Sequence, residues 1–217
     1  MKRTSKLLLL ISSLCLAASA IVSAQDSTGA GVRTSIGLGV GYALPAGDWT
    51  KSRIAPDIQM FSGGFTFGGD ITIRLAQRWG LVLAAGYSTL SGSEWEEYAY
   101  LKGDGVSVSA SVTDVSISLR PYLIASPHDQ LSLEFGAVGL FAGGHEVVNG
   151  ERYEYDFFSS FRLGFQGAVE YDRLVSEGIA VTIRGGAVVA PDGMNYADGE
   201  SRTIVYFPVT VGIRFLL

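Results

Sequence analysis

From about residue 33 to the last residue, the chain alternates apolar and polar side chains with period two, over segment after segment. Strict alternation places one set of side chains on each face of an extended strand. No later apolar run is long enough for a membrane helix, and 28 glycines are scattered through the chain. Glycine weakens helix interiors, so the pattern excludes a helical fold. One domain suits 217 residues.

Eight such segments can be read. RTSIGLGVGYAL puts Ile36, Leu38, Val40, Tyr42 and Leu44 on one face, and FTFGGDITIRLA sets Phe65, Phe67, Ile71, Ile73 and Leu75 against Asp70 and Arg74. GLVLAAGYS carries Leu81, Leu83, Ala85 and Tyr87. A long fourth segment runs from about Val106 to Ile124, with Val115, Ile117 and Leu119 opposite Ser116, Ser118 and Arg120. Its upper part reverses parity, at Val106, Val108, Ala110 and Val112, which predicts a bulge near Thr113–Asp114. LSLEFGAVGLF opposes Leu133 and Phe135 to Glu134, and FRLGFQGAVEY opposes Leu163, Phe165 and Val169 to Arg162, Gln166 and Glu170. IAVTIRGGAVV opposes Val181 and Ile183 to Arg184, and the last segment, from about Thr203 to Leu217, opposes Val209, Val211 and Ile213 to Thr210 and Arg214.

The first residues are of another kind. Lys2, Arg3 and Lys6 precede an apolar run over residues 7–22, and Val22-Ser23-Ala24 ends in small residues. This predicts a secretory signal peptide over residues 1–24 and a mature domain over 25–217. The run is shorter than the roughly 20 residues that a membrane helix needs. Cys15, the only cysteine, follows Leu14 within the leader, a poor setting for a lipoprotein acceptor. A mature chain starting after Ala24 holds 13 Lys and Arg against 21 Asp and Glu, a net charge of −8. That balance argues against nucleic-acid binding, which needs a basic surface.

The connections alternate in length. AQRWG (76–80), SPHDQ (126–130) and DRLVSEG (172–178) are short, whereas 45–61, 89–105, 143–157 and 190–202 are long and carry 0, −3, −3 and −2. With an even strand number, all long loops fall on one side, the arrangement of an outer-membrane barrel with short periplasmic turns. The strands use Arg and no Lys, since the mature lysines are Lys51 and Lys102, both in long loops. Arginine suits enclosed, multiply bonded ion pairs. The expected fold is therefore all-β: an eight-stranded antiparallel up-and-down transmembrane β-barrel with short periplasmic turns and long extracellular loops. Its expected lumen charge network is Asp70, Arg74, Arg120, Glu134, Arg162, Glu170, Arg184 and Arg214. Eight strands leave an interior that side chains fill. Trp79, Tyr122, Tyr171 and Phe215 are expected at the periplasmic interface, with Tyr42, Tyr87 and Trp49 toward the outer one.

The mature chain resembles the small OmpA/OmpX-type eight-stranded outer-membrane barrels over about residues 31–217, and GYALPAGDW (41–49) resembles the first strand-to-loop passage of the outer-membrane β-barrel domain group. The terminal TVGIRFLL resembles the assembly signal of such barrels, with Thr210, Gly212, Phe215 and Leu217 in its places. Leu217 stands where that signal usually ends in Phe. The resemblance implies contact with outer-membrane lipid and lipopolysaccharide, and with the barrel-assembly machinery during biogenesis.

Chemistry is sparse. His128 falls in a short turn, and His145 stands near Glu146 and Glu151 in a long loop, with Ser91, Ser93 and Ser201 as the serines that folding could bring near. A nucleophile needs a base within reach, and no Ser stands beside His145 in sequence. EWEE (94–97) and ERYEYD (151–156) match no calcium-loop template. No catalytic, cofactor or metal site is expected. Three functions fit the pattern: a non-enzymatic structural or surface-interaction barrel acting through loops 89–105 and 143–157; a narrow channel or carrier for small solutes, with Gly37, Gly39, Ser116 and Ser118 leaving space; and a lipid A-modifying barrel enzyme using His145.

Overall fold

The computed structural model describes residues 33–47, 50, 61–91, 107–148, 151–154, 161–195 and 201–217. The leader, Trp49 and most of loops 45–61 and 89–105 lie outside the described residues. The strands are β1 Arg33–Ala46, β2 Gly64–Ala76, β3 Trp79–Ser91, β4 Ser107–Ala125, β5 Asp129–Val148, β6 Glu151–Glu154, β7 Phe161–Ser176, β8 Ile179–Asn195 and β9 Ser201–Leu216.

Eight of them close into an antiparallel up-and-down barrel. Each long strand pairs with its neighbours in sequence, β4 pairs with β5, and β1 pairs with β9. The register at the closing seam sets Gly39 opposite Gly212 and Arg33 opposite Arg74 on the next pair. Closure pairs both edges of each of the eight ring strands, the one way that strands can cross hydrocarbon. The short β6 stands outside this ring, paired with the upper end of β5 through His145–Val148.

The turns at one end are tight. Gln77–Arg78 joins β2 to β3, and Glu177–Gly178 joins β7 to β8. The second is shorter than the sequence pattern implies, because β7 continues to Ser176. Gly178 has φ of 76°, a left-handed conformation that glycine adopts without strain. Beside the β4–β5 turn, the Tyr171 hydroxyl donates to Asp129, and Arg173 pairs with the same carboxylate at 2.9 Å. The Tyr171 bond first, with Arg173 adding to it, holds the Asp129 carboxyl below the usual carboxylate range.

Parity decides what faces outward. Leu38, Val40, Phe65, Phe67, Leu163, Phe165, Val209, Val211 and Ile213 are exposed around the barrel, Leu163 and Phe165 at 68%. A soluble protein rarely exposes so continuous an apolar surface; a barrel in a bilayer requires it. Trp79, Phe215 and Tyr42 are exposed on this face. Tyr122 is not, which corrects its expected place in the girdle: it is 8% exposed and points into the lumen.

The interior has two zones. Toward the long-loop end it is apolar, with Leu90, Val112, Leu140, Val188 and Ile204 buried together and Phe61, just before β2, buried among them. Toward the short-turn end it is charged. This zoning corrects the bulge expected near Thr113–Asp114. β4 runs through those residues in continuous register with both β3 and β5, so Ala110 and Val112 point inward like Ser116 and Ser118. The apparent parity change is a change in the chemistry of the lumen. The register shift in β4 lies lower, between Tyr122 and Ile124, beside Pro121; it turns Leu123 and Ile124 both outward.

The two faces predict opposite sensitivities. Leu163→Arg, on the lipid face, should cost about 2–4 kcal/mol if it lies near the bilayer midplane. Leu140→Ala, inside, should cost about 2–5 kcal/mol through the void it leaves. Urea unfolding in lipid vesicles reads both.

Candidate functional site

The lumen-facing parity of six strands brings charges to one level of the barrel. Arg120 of β4 and Arg214 of β9 are its centre, both almost fully buried. Arg120 donates from Nη1 to Glu170 Oε1 and from Nη2 to Glu134 Oε2 at 2.9 Å. Arg214 donates to both Asp70 oxygens, at 2.8 and 3.1 Å, and to Glu170 Oε1 at 2.8 Å. Its Nε lies 3.3 Å from Asp172 Oδ1, and Nη1 also reaches Ser35 and Thr72. Arg184 donates to Glu134 Oε1 at 3.0 Å. The layer thus ties β2, β4, β5, β7, β8 and β9 together across the barrel axis.

Neutral groups complete it. Gln166 Nε2 lies 2.8 to 2.9 Å from Ser116, Ser118 and Glu134. Thr182 donates to Asp172 at 2.6 Å. Just above, Tyr206 donates to Asp114 at 3.0 Å, where the charged zone meets the apolar one. A cavity of about 80 Å³ lies at this boundary, lined by Asp70, Asp114, Gln166, Glu170, Arg184 and Tyr206 among others. At roughly 10–15 Å³ each it has room for a few waters. It is polar, and its lining groups can bond them.

Six of the eight residues singled out for the lumen share this layer: Asp70, Arg120, Glu134, Glu170, Arg184 and Arg214. The other two do not. Arg74 sits at the short-turn mouth, its guanidinium 4.2 Å over the Tyr122 ring and bonded to the Gln77 carbonyl. Arg162 sits higher on β7, opposite Leu140, and makes no ion pair among the described residues. Asp172, Gln166, Asp114 and Tyr206 belong to the layer or its upper edge without having been singled out. Asp172 has the parity of Glu170 two residues earlier, which is the signal that would have found it; the sequence pattern assigns it to a turn instead.

The last strand places Thr210 and Gly212 toward the lumen and Phe215 and Leu217 outward, exposed. A Cβ on Gly212 would meet the Leu38 carbonyl and the Gly39 backbone, so the closing seam itself needs glycine there. His128 lies in the β4–β5 turn. His145 pairs in backbone register with Ser109 and Glu154, and its side chain lies outside the described residues, as do Ser93 and the side chain of Ser201. Among the described residues no three His, Cys, Asp or Glu are grouped to hold a metal ion.

Barrel closure, apolar exterior and charged lumen define an outer-membrane-type eight-stranded β-barrel. Solved structures share this fold. OprG from Pseudomonas aeruginosa aligns at TM-score 0.53 and 13% identity, over 86% of this chain and 96% of that one. Ail, the attachment invasion locus protein of Yersinia pestis, aligns at 0.51 and 9%, over 86% and 99%. Neisserial surface protein A aligns at 0.51 and 10%, over 84% and 96%. At these identities the likeness is one of fold. No protein-family model matches the sequence, and no curated protein matches it.

The layer makes a testable demand. Removing one partner of a buried ion pair typically costs about 3–5 kcal/mol, because a charge is left uncompensated. Arg120→Met and Glu170→Gln should each destabilise the barrel on that scale, and the double variant should cost clearly less than their sum. Urea midpoints of the three variants check this.

Proposed function

We propose that the protein is a non-enzymatic integral protein of the bacterial outer membrane, whose barrel is an anchor and whose outer extensions engage a partner at the cell surface. One observation carries the reading: the lumen is shut at two levels. Below, Arg120 and Arg214 cross-link five strands through buried ion pairs, and Arg184 adds β8. Above, Leu90, Leu140, Ile204 and Phe61 fill the bore with apolar side chains. A wide axial path for solutes is incompatible with both closures. The space beside Gly37, Gly39 and Ser116 is limited to the cavity of about 80 Å³, because Gln166 fills the room beside Ser116 and Ser118 and the Asp70–Arg214 pair covers Gly37.

The surface role is supported by the β5–β6 hairpin. β5 has 20 residues, about twice what a strand needs to cross a bilayer. Its upper end pairs with both β4 and β6, which continues the sheet beyond the ring. Among the described residues β6 pairs on one side only. An open strand edge is a template for another chain. The attachment and surface proteins that share the fold fit the same role. In this reading residues 1–24 are removed on export, the assembly machinery takes up β9, and the apolar exterior rests in lipid and lipopolysaccharide.

Two experiments test it. In planar bilayers the purified barrel should give no reproducible conductance steps; regular steps would establish the channel instead. Deleting 89–105 together with 143–157 should abolish binding of whole cells to their surface partners while leaving the barrel heat-modifiable on gels. Unchanged binding would remove the interaction role, and altered lipid A species in a His145→Ala strain would establish the enzyme.

A further inference from the structure

The short-turn mouth of the lumen carries an arrangement that the ion-pair layer does not use. Register sets Arg33 of β1 directly opposite Arg74 of β2, and both have lumen-facing parity. Like charges directly opposite across a strand pair repel. Neither arginine forms an ion pair among the described residues. Arg78, in the next turn, adds a third cation, and its carbonyl accepts from the Tyr122 amide at 3.0 Å.

Among the described residues, Asp129 and Asp172 at this end are held by other partners: Asp129 by Tyr171 and Arg173, and Asp172 by Thr182 and Arg214. Glu177 lies in the β7–β8 turn, beyond β9 from β1. The Leu217 amide donates to the Thr34 carbonyl beside Arg33 at 2.9 Å.

Arg74 is also fixed in place. It stacks on Tyr122 and donates to the Gln77 carbonyl at 3.1 Å, while its Nε is buried without a partner. Arg33 is exposed. One guanidinium set in place and a second, exposed arginine opposite it in register are the elements of bidentate oxyanion capture.

We infer that Arg33 and Arg74 form an oxyanion site at the periplasmic mouth of the barrel, taking a phosphate group. An anion between them turns a cross-strand repulsion into two charge-assisted contacts. The phosphate can come from a free phosphate in the periplasm or from a phospholipid headgroup of the inner leaflet. The inference is independent of what the outer loops bind.

The test uses the full mature chain folded in zwitterionic detergent. Thermal unfolding is followed by the gel shift of the folded band, at constant ionic strength set with chloride. Inorganic phosphate at about ten times its dissociation constant should raise the transition by on the order of 3–5 °C. A parallel arm adds phosphatidylglycerol to the micelles in place of phosphate; a shift in that arm alone assigns the site to the headgroup. Arg33→Gln should remove the shift and, without phosphate, raise the transition by relieving the repulsion. Arg74→Lys, which keeps charge and loses the fork, should reduce the shift. If neither anion moves the wild-type transition, or if Arg33→Gln retains the full shift, the site does not exist.

Discussion

The charged layer depends on two arginines. Arg120 and Arg214 are cations buried in a bore whose outer wall is lipid, and each is matched by carboxylates from other strands. Taking such charges out of water costs several kcal/mol per ion unless the geometry is good and the remaining donors are satisfied. Here Glu170 bridges both guanidiniums, and Asp70 and Glu134 hold their far sides. The layer therefore fixes which strands face one another: a one-residue slip in β4, β7 or β9 would turn its charge into hydrocarbon.

The same parity explains why the lumen needs a second material. The exterior can remain apolar along the whole strand because lipid accepts it, but the interior must be filled without leaving unpaired polar groups. Toward the short turns the filling is ionic, with Gln166, Thr72 and Thr182 taking spare acceptors and donors. Toward the long loops it is aliphatic and aromatic. Asp114 and Tyr206 mark the boundary, each satisfying the other. A bore packed in this way is a pillar, which suits the anchoring role proposed above.

Much of this was legible in the residues. Period-two alternation fixes strands and faces, and the parity of Arg120, Arg184 and Arg214 places them on the side away from Ile117, Ile183 and Ile213. Three things were not legible. Alternation does not say whether an apolar residue faces lipid or a dry lumen, so Ala110 and Val112 read as a change of face when they share the interior with Ser116. A charge on the correct face need not join the network: Arg74 and Arg162 lie above or below its level, and level depends on register between strands, which one strand does not encode. Asp172 looked like a turn residue because acids favour turns, whereas β7 runs four residues beyond it.

The central claim is that neighbouring residues alternate between lipid and an enclosed lumen. Cys15 is the only cysteine in the sequence and lies in the predicted leader, so single cysteines can be placed cleanly in the exported chain. A fluorophore on Val209→Cys, Thr210→Cys and Val211→Cys, in vesicles containing nitroxide-labelled lipid, reports which side each residue faces. The account predicts strong quenching at 209 and 211 and weak quenching at 210. Equal quenching at all three positions, or strong quenching at 210 alone, would contradict it.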